Sequence, residues 1–82
     1  LVYLRNNLGA YQVHVADYYL RRGAYVASVN RAETVLTEFD ETPAVPDALA
    51  VLATAFKLMD IQELSDDALR VLALNDPDHL AL

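Results

Sequence analysis

The sequence predicts an all-α protein: antiparallel helical hairpins, about four helices in all, stacked as a short right-handed solenoid. Three observations carry this. Apolar residues recur at helical spacing along most of the 82 residues. No segment sustains the every-other-residue alternation of a half-buried strand. And two stretches echo each other at an offset of 37 residues. Ala16, Tyr19, Gly23, Ala32, Val35 and Asp40 return as Ala53, Phe56, Asp60, Leu69, Leu72 and Pro77.

Small, aromatic, turn, small or apolar, apolar, stop is the order of a helix-turn-helix unit. A period in the thirties points to tetratricopeptide (TPR) units, which are usually about 34 residues long. The surplus three residues fit the loop Asp40-Glu41-Thr42-Pro43. One such unit cannot bury its apolar face alone, so units stack. Residues 1–82 are therefore expected to be a single unit made of two helix pairs, 1–41 and 42–82. The opening Leu1-Val2-Tyr3-Leu4 has no capping residue and reads as the inside of a helix. The expectation is a C-terminal piece whose N-terminal repeats are absent.

The first helix is expected from about Val2 to Arg21, with Leu4, Leu8, Val15, Ala16, Tyr19 and Leu20 as its apolar stripe. Gly9 inside it should cost roughly 1 kcal/mol against alanine. Gly23 ends it, because glycine takes the left-handed conformation past a last turn. Arg21 and Arg22 suit the negative end of the helix dipole. The second helix is expected from about Ala24 to Phe39, with Tyr25, Val29, Ala32, Leu36 and Phe39 inward and Asn30, Glu33, Thr34, Thr37 and Glu38 wet. The third begins between Thr42 and Pro46, since proline belongs in a first turn, and ends near Met59. It is apolar almost all round from Ala48 to Phe56, as a helix packed on more than one side would be. The fourth is expected from about Ile61 to Leu74. Asp60 and Glu63 resemble a capping box, and Asp66 with Arg70 makes a favourable i,i+4 pair. Asn75-Asp76-Pro77 stops it, and His79–Leu82 should fray.

The net charge of −6 is uneven. Residues 1–32 hold four arginines against Asp17, and residues 33–82 hold Lys57 and Arg70 against eleven acids. An acidic total argues against nucleic acid, which needs a basic footprint. Cysteine is absent, which removes disulfides and thiolate metal sites. No run of about 18 apolar residues offers a membrane span.

Catalytic chemistry finds no purchase in this sequence. A nucleophile needs a base beside it, and the only histidines, His14 and His79, have no evident serine partner. His14 and Asp17 are two ligands at helical spacing, whereas structural zinc normally takes four. With only Gly9 and Gly23, no phosphate-binding loop exists. The reading is a non-enzyme without catalytic residues, cofactor or metal.

What remains is surface. His14, Tyr18 and Arg22, at i, i+4 and i+8, line one face of the first helix, and Arg31 lies on the second. Exposed tyrosine and arginine are what interfaces prefer. The alternative is Tyr18 packed between repeats with the arginines merely solvated.

The segment His14-Val15-Ala16-Asp17-Tyr18-Tyr19-Leu20-Arg21-Arg22-Gly23-Ala24-Tyr25-Val26-Ala27-Ser28-Val29-Asn30-Arg31-Ala32-Glu33, with the continuation Thr42-Pro43-Ala44 and Asp47-Ala48-Leu49, resembles the C-terminal TPR region of the BamD family. These are lipoproteins of the outer-membrane β-barrel assembly (BAM) machinery. The resemblance covers nearly the whole chain. It implies a non-enzymatic scaffold, lipid-anchored in the full-length protein, on the periplasmic face of the outer membrane. It further implies docking on the membrane-proximal POTRA domain of BamA through Tyr18, Arg22 and Arg31, with BamE nearby and other BAM lipoproteins held by the absent repeats. Asp40, where many relatives have proline, and Asp60, where glycine is common, depart from the pattern in loops. A rival reading is a periplasmic TPR adaptor that takes peptide segments in its concave groove.

Overall fold

Gly23 and Asp60 decide where the chain reverses. Both adopt the left-handed conformation, at φ +79° and +62°. Each closes its helix with the same pair of hydrogen bonds. Gly23 N–H donates to Leu20 O (3.1 Å) and Ala24 N–H to Tyr19 O (2.9 Å); Asp60 N–H donates to Lys57 O (3.1 Å) and Ile61 N–H to Phe56 O (2.9 Å). These are paired Schellman motifs, which satisfy carbonyls left over at a helix end. The computed structural model describes all residues, Leu1–Leu82, as four helices and no strand: α1 (Val2–Arg21), α2 (Tyr25–Glu38), α3 (Ala44–Leu58) and α4 (Gln62–Asn75). They form two antiparallel hairpins, with α3 against α1, α2 and α4, and α4 against α3 alone.

The repeat extends to a bond that the apolar pattern did not disclose. Ser28 Oγ donates to Ala16 O across the first hairpin at 2.8 Å, and Ser65 Oγ donates to Ala53 O across the second at 2.8 Å. Both serines are buried. A hydroxyl that points at a carbonyl of the facing helix needs a small residue there, and Ala16 and Ala53 supply it.

The core follows the same logic. Ala16, Ala32, Val35, Ala48, Leu52, Ala53 and Leu72 are its centre. Val35 and Leu72, repeat equivalents, are fully buried, which is worth roughly 1.5–3 kcal/mol for each aliphatic side chain. α3 is apolar on most sides because α1, α2 and α4 all pack against it, as its composition predicts, and Thr54 and Lys57 stay exposed.

Four expectations need correction. Leu4 and Leu8 are not part of the buried stripe of α1; each is 53% exposed. The inward face is centred on Gly9 and Ala16, about 80–140° away around a 3.6-residue turn. Both α2 and α3 approach that side, and only small residues let them come so near. A Cβ on Gly9 would lie 3.2–3.3 Å from Thr42 Oγ1, Ala44 Cβ and Phe39 Cβ. Asp60 does not cap α4: its left-handed backbone ends α3, and the cap position falls to Ile61, which makes no side-chain cap bond. Arg70 pairs with Asp67 (3.0 Å), not Asp66, whose carboxylate accepts from Gln62 Nε2 at 2.8 Å. Finally, the tail is tied down. His79 Nε2 sits 2.8 Å from Asp47 Oδ1, and its side chain is only 15% exposed. That pairing holds the tail on the first turns of α3.

The α2–α3 loop is fixed from both sides. Thr42 is buried and its hydroxyl donates to Phe39 O at 2.6 Å. Arg5, from α1, donates to Asp40 O (2.8 Å) and Oδ1 (2.9 Å).

Candidate partner interface

α1 leaves the core with one side uncovered, and the expected surface lies there. Tyr18 is 52% exposed. Arg22, one turn on, places its guanidinium carbon 5.4 Å from the Tyr18 ring centroid. That is within the roughly 6 Å over which a cation is attracted to a ring face. Tyr19 meets Tyr18 edge-on, with centroids 5.8 Å apart and planes at 65°. Tyr18 is therefore held between a cation and a half-buried neighbour, not packed into the core.

Arg31 reaches the same helix from α2. Its Nη1 donates to Gln12 Oε1 at 3.0 Å, and it stays exposed. Gln12 lies six residues before Tyr18, about 9 Å along the helix at 1.5 Å per residue. Along α1 the order is Arg31 at Gln12, then Tyr18, then Arg22. None of the three arginine-aromatic groups is spent on an ion pair, whereas Arg5, Arg21 and Arg70 are paired with Asp40, Asp17 and Asp67. Two guanidinium groups thus keep free donors for a partner's carboxylates or carbonyls.

His14 is exposed and Asp17 is engaged by Arg21, so the two do not make a joint site. No three metal-ligating side chains converge anywhere in the molecule. No helix is long and apolar enough to cross a membrane. Gln12 went unnoticed in the sequence; a polar residue on the α2-facing side of an otherwise apolar stripe was the available signal.

The chain resembles known proteins over most of its length. Residues 1–72 match the family model YfiO, described as "Outer membrane lipoprotein". The chain is 40% identical over 77 residues to the outer membrane protein assembly factor BamD of Neisseria gonorrhoeae, covering 94% of this chain and 29% of that protein. It is 41% identical over 76 residues to BamD of Xylella fastidiosa, 93% of this chain and 26% of that protein. With BamD of Vibrio cholerae the identity is 28% over 72 residues, 88% of this chain and 30% of that protein. The chain spans less than a third of the length of these relatives. On the match over most of its helices, the chain belongs to the YfiO family of outer membrane lipoproteins.

Proposed function

We propose that this chain is a non-enzymatic scaffold in outer-membrane protein assembly, acting at the periplasmic face of that membrane and docking on the membrane-proximal POTRA domain of BamA. BamE would lie nearby, and other BAM lipoproteins would engage regions beyond these residues. The observation that supports the reading is the preset surface on α1 and α2: Arg22 over Tyr18, and Arg31 held by Gln12. An arginine ordered before binding loses less rotamer freedom when a partner arrives. A tyrosine with one cation stacked on it offers an apolar anchor beside a charge-assisted donor, which is how binding hot spots are built.

The test is the affinity of the protein for a purified BamA POTRA domain, measured by calorimetry for wild type and Arg31→Glu. A charge reversal at a desolvated contact should cost at least about tenfold in Kd, about 1.4 kcal/mol or more. Helix content, followed by circular dichroism, should not change. Equal affinity in a folded Arg31→Glu variant removes Arg31 from the interface.

A further inference from the structure

Arg31 is held by a single contact, and its own helix offers it no other. The residues three and four positions either side of it on α2 are Ala27, Ser28, Thr34 and Val35, none of them acidic. Arg21 and Arg70 find carboxylates at those spacings, in Asp17 and Asp67. Arg22 has Tyr18 four residues before it and stacks there. Arg31 instead reaches across the hairpin, where its Nη1 donates to Oε1 of the half-buried Gln12 at 3.0 Å.

The hairpin fold does not demand this pair. Shifted by one repeat, Gln12 and Arg31 become Leu49 and Ala68. Both are buried in the core cluster. The second hairpin therefore puts apolar side chains where the first sets an amide against a guanidinium. What the polar pair adds is direction. A neutral amide oxygen accepts one N–H and leaves the charge and the remaining donors of the guanidinium available, whereas a carboxylate would offset that charge. We infer that Gln12 is a positioning residue for partner binding: it fixes the Arg31 guanidinium at the seam of α1 and α2, so that an acidic group of the partner meets donors already ordered. The inference rests on the docking reading above, and it assigns Gln12 a role that acts only through Arg31.

A double-mutant cycle tests this, with Gln12→Leu (the residue of the second repeat), Arg31→Ala and the pair titrated against a purified BamA POTRA domain. Gln12→Leu should weaken binding about threefold to tenfold, the range expected when one long side chain must be ordered on binding. It should keep helix content and melting temperature, and also the salt dependence of the affinity, because the charge remains. Added to Arg31→Ala, it should change the affinity by less than about twofold. In the free protein, nitrogen relaxation of the Arg31 side chain should show faster motion once Gln12 is replaced. Gln12→Ala serves in the same cycle if Gln12→Leu proves misfolded by circular dichroism. Wild-type affinity in Gln12→Leu, an equal loss with and without Arg31, or an Arg31 side chain no more mobile than before would overturn the inference while leaving the docking reading in place. Affinity unchanged in Arg31→Ala, or no binding by the folded wild type, would overturn the docking reading and this inference with it.

Discussion

Tyr11, His14 and Tyr18 on α1 stand one repeat before Ala48, Val51 and Ala55 on α3. The backbone positions are equivalent, yet the fates are opposite. Tyr18 is half exposed, and Ala55 is fully buried. α3 is enclosed by three helices, while α1 meets only α2 and α3. A helix with three neighbours needs alanine and valine at the faces where backbones approach. One with an open side can carry aromatic rings with polar tips. The difference shows that exposed aromatics of α1 come from its place in the stack and not from a different kind of helix. It also explains why the candidate interface sits in the first hairpin, where large side chains have room.

Substitutions at paired positions break or sharpen this comparison. The largest effect is expected at Leu72, fully buried under a helix that rests on α3 alone. Leu72→Ala should cost about 3 kcal/mol in urea unfolding, and amide exchange should quicken in α4 well before α1 and α2. If exchange rises uniformly, the two hairpins are one cooperative unit and the contrast drawn from α4's single neighbour fails. Next is the tight approach at Gly9. Gly9→Val should destabilise by about 2 kcal/mol through crowding against Thr42, Ala44 and Phe39. A neutral result in thermal melts would mean that α1 and α3 can part without loss.

The hydroxyl bonds that tie the two hairpins should be equal. Ser28→Ala and Ser65→Ala remove the same bond to the facing helix, and each should cost about 1 kcal/mol. A large inequality in their unfolding midpoints would show that the repeat symmetry is geometric only. The smallest effect is at the turns. Asp60 holds a left-handed conformation that Gly23 adopts freely. Asp60→Gly should therefore stabilise by about 0.5–1 kcal/mol. Gly23→Asp should lose a similar amount.

Much of the fold was legible because its signals are local. Helix ends follow from Gly23 and the proline-containing loop, and the type of each helix follows from spacing. α1 runs Val2–Arg21, as its pattern and Gly23 predict. Asp60 misled because one residue can serve as the stop of one helix or the start of the next. Only the backbone it adopts separates the two, and in the three-residue connection Met59–Ile61 it lies between the C-cap of α3 and the N-cap of α4. Of the candidate interface, Tyr18, Arg22 and Arg31 stood out by residue type and spacing and were joined by the family resemblance, but Gln12 and the ring-to-guanidinium stacking did not, because they depend on rotamers and on the lateral placement of α2. The serine bonds were missed for a related reason: a lone serine among small residues carries no periodic signal.

By itself the sequence determined the number of helices, their order, their turns and the repeat, because each depends on interactions within a few residues or on the period of a pattern. Tertiary structure alone decided which side is buried in the first half of α1. Leu4 and Leu8 are more apolar than Gly9, so hydropathy favours the wrong face there, while Ala16 and Leu20 of the expected stripe do pack inward. The buried side is chosen by how closely α2 and α3 can approach, and close approach rewards the absence of side chain. The same holds for the tail, whose order depends on a contact between His79 and Asp47 across 32 residues, a separation that no local pattern records.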